Sequence, residues 1–151
     1  KKIIIILFIF FLDRASKIYL LNLEISGTTI DFYINPFLNF YLVWNSGIGF
    51  GLASLDSNIY YHLITGIIVI VNFILIYLIL KSKGIYAYLL ALIIGGALGN
   101  LVDRIYYHAV PDFIDLHVEN YHWFIFNVAD IFITIGVFFM IIIELIYNKQ
   151  K

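Results

Sequence analysis

Hydrophobic residues run through this chain in four long blocks separated by short polar passages. The blocks cover about residues 3–23, 58–80, 85–103 and 126–147, each near the ~20 residues a helix needs to cross a hydrocarbon core. The first opens with Lys1, Lys2 and IIIILFIFFL, like the start of a secretory leader. No small-x-small cleavage pattern follows, and apolar character resumes after Lys17 as IYLLNL, so this block reads as a retained span. Asp13, Arg14 and Lys17 fall near its middle. An ionised side chain there costs about 2.5–3.5 kcal/mol, so all three require partners inside the protein.

Between the first two blocks, residues 24–57 are punctuated by Gly27, Pro36, Asn45, Gly47, Gly49 and Gly51. TTIDFYI and FLNFYLVW are β-branched and aromatic between turn signals, which predicts a small hairpin or curled sheet. IGFGLASL predicts a short interfacial helix with Phe50 and Leu52 dipping into lipid. KSKG at 81–84 is a turn, and the passage from Arg104 to the fourth block, which holds Asp112, Asp115, His117 and His122, reads as a loop. The expected fold is an all-α membrane protein: four transmembrane helices with a small extracytoplasmic β-rich segment, in one polytopic domain over residues 1–151.

Composition agrees with that class: 63% of residues are hydrophobic and 13% charged, where a soluble domain carries about a quarter charged. A net charge of -1 offers no basic surface, so a nucleic-acid partner is not expected. Without cysteine there is no disulfide, thiolate metal site or Cys nucleophile. His62, His108, His117 and His122 show no helical ligand spacing, and no metal ligand is expected among them. Lys1, Lys2, Lys81, Lys83, Lys149 and Lys151 all fall on the side of the termini, which places both termini in the cytoplasm. The acids other than Glu144 then lie in the outer half or outside. Tyr41, Trp44 and Trp123 are expected as interfacial aromatics.

The polar residues that interrupt the last two blocks carry the candidate chemistry. Gly95 and Gly99 have the small-xxx-small spacing of close helix packing. Gly96, Asn100 and Asp103 share one face of the third helix, and Asn127, Asp130 and Thr134 share one face of the fourth. Asp112 can reach the depth of Asp130, about one turn inside the outer end. Two carboxyls meeting in a partly dry site share a proton and titrate as a pair, the arrangement an aspartic protease uses. Spacing alone leaves three other readings open: a proton or ion carrier, a Mg²⁺-dependent lipid phosphotransferase using Asp103, Asp112 and Asp115, and a purely structural bundle. Asp103 is expected mainly to pair with Arg104 or Lys17; Asp13 and Lys17, four apart, can pair locally but are expected rather to brace the site from the opposite wall; and Asp115 is expected to be a surface or supporting acid.

The ordered motifs Asp-x-x-x-Lys (Asp13, Lys17), Asn-x-Gly-x-x-Phe (Asn45, Gly47, Phe50), GGALGNLVDR, VPDF and FNVAD resemble those of lipoprotein signal peptidase, the bacterial signal peptidase of the second type. The resemblance covers essentially the whole chain. It implies an aspartic endopeptidase of the bacterial inner membrane, cutting the signal peptide from prolipoproteins just before a diacylglyceryl-modified cysteine. By position it makes Asp112 and Asp130 the catalytic pair. Asp13, Lys17, Asn45, Gly47, Phe50, Gly96, Asn100, Asp103, Arg104, Asn127 and Ala129 match positions that bind substrate or support the site. Prolipoproteins and membrane lipids are the implied partners, with no cofactor or metal, a monomeric enzyme and a site near the outer face. One departure is Ile48 and Gly49, where the family usually has two alanines.

Overall fold

The computed structural model describes residues 1–47, 58–119 and 121–148. Four helices, α1 (Lys2–Ile25), α2 (Asn58–Lys81), α3 (Gly84–Tyr107) and α4 (Val128–Asn148), accompany four strands. These are β1 (Asp31–Asn35), β2 (Leu38–Asn45), β3 (Val110–Val118) and β4 (Tyr121–Phe126), forming one antiparallel sheet in the order β1-β2-β3-β4. The sheet gathers at the end where α1 and α3 finish and α2 and α4 begin. The expected interfacial helix at 48–55 lies outside the described residues.

The passage after Arg104 is where the structure departs from the sequence reading. It is not a loop: α3 runs on to Tyr107, His108 takes a left-handed conformation at φ 58° and turns the chain, and β3 and β4 follow as a hairpin. Strand structure is therefore not confined to residues 24–57, and α4 starts at Val128, leaving Asn127 as the residue before the helix. Among the described residues, three helices, over Tyr61–Lys81, Gly84–Tyr107 and Val128–Tyr147, are long and apolar enough to cross a membrane.

α3 is the hub on which α1, α2 and α4 pack. Ile9, Asp13, Lys17 and Leu20 or Leu21 form the buried stripe of α1 at helical spacing. This stripe meets α3 in parallel register: an added Cβ at Gly95 would lie 2.8 Å from Ile9 Cβ, and one at Gly99 would lie 2.5 Å from Asp13 Oδ2. The predicted glycine pair is thus the seam for α1. α4 runs the other way across α3, with Gly96 against the Ala129 carbonyl and Gly136 against Ile93. A separate core of Leu20, Ile30 and Phe113 seats the sheet on the end of α1.

Candidate active site

Asp112 sits on β3 opposite Val43 of β2 and is 2% exposed. Its Oδ2 accepts from Asn45 Nδ2 at 2.8 Å and its Oδ1 from Asn127 Nδ2 at 2.5 Å. Asn45 is itself fixed, because its Oδ1 accepts the Gly47 N–H at 3.0 Å. Burial, and after it the charge of Asp130, pushes the Asp112 carboxyl up to about 6.

Asp130 is held by the way α4 begins. Asn127 is the N-cap: its Oδ1 accepts the Asp130 N–H at 3.2 Å, while Asp130 Oδ2 accepts the Asn127 N–H at 3.2 Å. This is a reciprocal capping box with an aspartate at the third helical position. The other carboxylate oxygen, Oδ1, accepts from Asn100 Nδ2 at 2.8 Å. Asn127 therefore bonds both acids at once, one through its amide and the other through its backbone N–H.

A buried ionic frame stands behind the pair. Lys17 Nζ donates to Asp13 Oδ2 at 2.9 Å, Asn100 Oδ1 at 2.8 Å and Asp103 Oδ2 at 2.7 Å, which uses all three of its protons. Arg14 reaches Asp103 Oδ1 at 2.5 Å and Asp13 Oδ2 at 3.3 Å, so two cations face two carboxylates. That balance leaves no charge in the middle of α1 buried without a partner. Asp13 Oδ1 also accepts the Ala129 N–H at 3.0 Å, tying α1 to the first turn of α4. Lys17 thereby fixes Asn100, and Asn100 fixes Asp130.

Arg104 closes the site toward the β2 end. Its Nη2 donates to the Gly47 carbonyl at 3.1 Å and its Nη1 to the Asn100 carbonyl at 3.3 Å, and Tyr61 donates its hydroxyl to the Arg104 carbonyl at 2.6 Å. Of the residues singled out from sequence, Asp112, Asp130, Asn45, Asn100 and Asn127 meet directly. Asp13, Lys17, Asp103, Gly96 and Ala129 lie behind them, and Gly47 and Arg104 beside them. Phe50 lies outside the described residues.

Of the two partners expected for Asp103, the structure pairs it with Lys17, and with Arg14 besides; the adjoining Arg104 is turned away because consecutive helical residues diverge by about 100°. Asp115, expected as a surface or supporting acid, is not at the surface: it is 1% exposed and partnered by His122. Three residues from Asp112 along β3, it projects from the opposite face. Sequence reasoning missed Tyr61, which has no signal separating it from an interfacial aromatic. It also gave Arg14 no role beyond a charge in need of a partner.

Fold and site together define a helical membrane protein that carries a pair of carboxylic acids, one buried and one half-buried, at one end of its helix bundle. The family model described as "Signal peptidase (SPase) II" matches residues 5–146. The "Lipoprotein signal peptidase" of Pelagibacter ubique (strain HTCC1062) is 53% identical over 149 residues, covering 99% of this chain and 90% of that protein. The "Lipoprotein signal peptidase" of Anaplasma phagocytophilum (strain HZ) is 38% identical over 151 residues, covering 98% and 94%. A solved chain described as a bacterial membrane enzyme structure by the in meso method superposes with a TM-score of 0.79 at 30% identity, covering 99% of this chain and 90% of its own. The chain belongs to the signal peptidase II family, and it is a peptidase.

Proposed function

We propose that the chain is an aspartic endopeptidase that removes the signal peptide from diacylglyceryl-modified prolipoproteins just before the modified cysteine, with Asp112 and Asp130 as its catalytic pair. The observation that carries this reading is the double grip of Asn127 on both carboxyls. It positions two acids of one site while leaving them unneutralised by any direct ion pair among the described residues. With a single proton between them, the ionised carboxylate takes a proton from the attacking water while the protonated one donates to the scissile carbonyl oxygen. Collapse of the tetrahedral gem-diol breaks the C–N bond: the carboxyl that took the water's proton gives it to the leaving amine, and the other carboxylate takes a proton back from a gem-diol hydroxyl as the C=O re-forms. The pair gains two protons and gives two, so it ends with one, as it began.

A cleft of about 720 Å³ between α2, α3 and α4 supports a lipid-borne substrate. Its walls include Ile68, Leu75, Ile93, Val137 and Met140, and its polar end is Asn100, Arg104 and Asp130. An acyl chain or the apolar core of a signal peptide can lie along those walls and present its bond to the acids. α1 is the fourth span in this reading. Its mid-helix charges Asp13, Arg14 and Lys17 are neutralised internally, and Ile3, Ile4, Phe8, Phe11 and Tyr19 are exposed as a lipid-facing surface. Lysine placement puts both termini in the cytoplasm, which sets the acids near the outer face of the bacterial inner membrane. One chain holds both carboxyls, so a monomer suffices, and residues 1–151 form one polytopic domain.

The test is cleavage of a diacylglyceryl-modified prolipoprotein in vesicles by wild type, Asp112→Asn and Asp130→Asn, with folding checked by thermal melting. Each variant is expected to lose activity by at least ~10²-fold, the scale of general acid-base catalysis. Wild-type rates in either folded variant overturn the assignment of the pair.

A further inference from the structure

The β3–β4 hairpin carries a second cluster that the peptide-cleaving pair does not use. Asp115 and His117 are two apart on β3 and so share a face, and His122 of β4 stands directly opposite His117. One extra residue on β4 between His122 and Phe124 sets this register. Asp115 and His117 are buried, while the side chain of His122 is 55% exposed. Asp115 Oδ2 lies 2.8 Å from His122 Nδ1 and 3.6 Å from His117 Nδ1, and one donor atom from each of the three residues falls within 4.8 Å of the others. Donor atoms around a tetrahedral zinc with bonds of 2.0–2.1 Å stand about 3.3 Å apart.

A hydrogen bond between Asp115 and His122 explains only part of this arrangement. Asp115 Oδ1 and His117 Nδ1 make no hydrogen bond to any described residue, although both atoms are shut away from water. Each such orphan costs about 1–3 kcal/mol, so two of them on adjoining side chains require an explanation. A cation among the three residues gives both a partner, with both imidazoles ligating through Nδ1.

We infer that Asp115, His117 and His122 bind one divalent transition-metal ion, with Zn²⁺ as the best fit to two imidazoles and one carboxylate. A fourth position opens toward the pocket lined by Asp31, Asn39, Tyr41, Asp115, His122 and Ile125. The ion pins β4 to β3 and does not touch the cleaving pair, since Asp112 is held by Asn45 and Asn127 on the other face of β3. Its role is to brace the strand that carries Asp112.

Untagged protein, stripped with chelator in detergent, is titrated with Zn²⁺ alone and, separately, with Co²⁺ alone. The expected result is one Zn²⁺ per chain, a raised melting temperature, and the strong visible absorption of four-coordinate Co²⁺. His117→Ala and His122→Ala each weaken binding at least tenfold and remove the Co²⁺ spectrum, whereas His62→Ala on α2 and Asp112→Asn bind as wild type does. Because the His122 ring is largely exposed, its variant keeps the test valid even if Asp115→Asn does not fold. Absence of stoichiometric binding by wild type, or an unchanged Co²⁺ spectrum in both histidine variants, overturns the site.

Discussion

At the scale of single residues, Asp112 and Lys17 show how burial is turned to use. Lys17 is 1% exposed and yet has no unmet proton, whereas Asp112 keeps only amide partners and so pays for burial in its acidity. The sign of the resulting pH dependence follows from the direction of the shift. A carboxyl raised to about 6 in the folded protein, above its ordinary value near 4, makes folding favour its protonated form. That contribution is complete below about pH 4 and is lost as pH rises through about 6. Wild type should therefore lose about 2–3 kcal/mol relative to Asp112→Asn between pH 4 and pH 7. Melting curves of the two proteins across that range would check it, and parallel pH profiles would count against the shift. The residues themselves were legible from sequence where spacing placed them on one helix face, as with Asn100 and Asp103. Their partners across elements were legible only in part: Lys17 was one of two expected partners of Asp103, but nothing local distinguishes Arg14 from Arg104 as the other.

At the scale of elements, the helices were readable because a bilayer sets their length, and length survives any mixture of side chains. The β3–β4 hairpin was hidden for the opposite reason. Strand prediction depends on alternation of apolar and polar positions, and VPDFIDLHV places buried acids on both of its faces. With Asp112 needed on one side and Asp115 on the other, the period of two disappears. It follows that the His117–His122 pairing, invisible as a sequence spacing, exists only once the strands are registered. Helix seams make a separate prediction. Gly99→Ala forces a Cβ to 2.5 Å from Asp13 Oδ2 inside the ionic frame and should cost about 1–3 kcal/mol, whereas Gly66→Ala on α2 meets nothing within 4 Å and should be tolerated. Comparative melting in detergent distinguishes the two, and equal stability would mean that α1 and α3 separate easily at this point.

At the scale of the whole molecule, the sheet and the bundle meet where the two acids come from different layers, Asp112 from β3 and Asp130 from α4. The α2–α4 cleft, floored by α3, runs from that junction along the helices between apolar walls. In the function proposed above, an opening of this kind draws its substrate from the bilayer and not from water. Encounter is then a two-dimensional event, governed by how many substrate molecules share each unit of membrane area. At fixed amounts of enzyme and substrate in vesicles, enlarging the bilayer with inert phospholipid should slow cleavage in proportion to the added area, while diluting the suspension with buffer should leave the turnover per enzyme unchanged. Cleavage assays at stepped lipid-to-protein ratios measure this directly, and a rate that tracked bulk volume would mean that the substrate arrives through water. The Michaelis constant of such an enzyme is naturally a mole fraction in lipid, and its value in any one preparation reports the membrane as much as the protein.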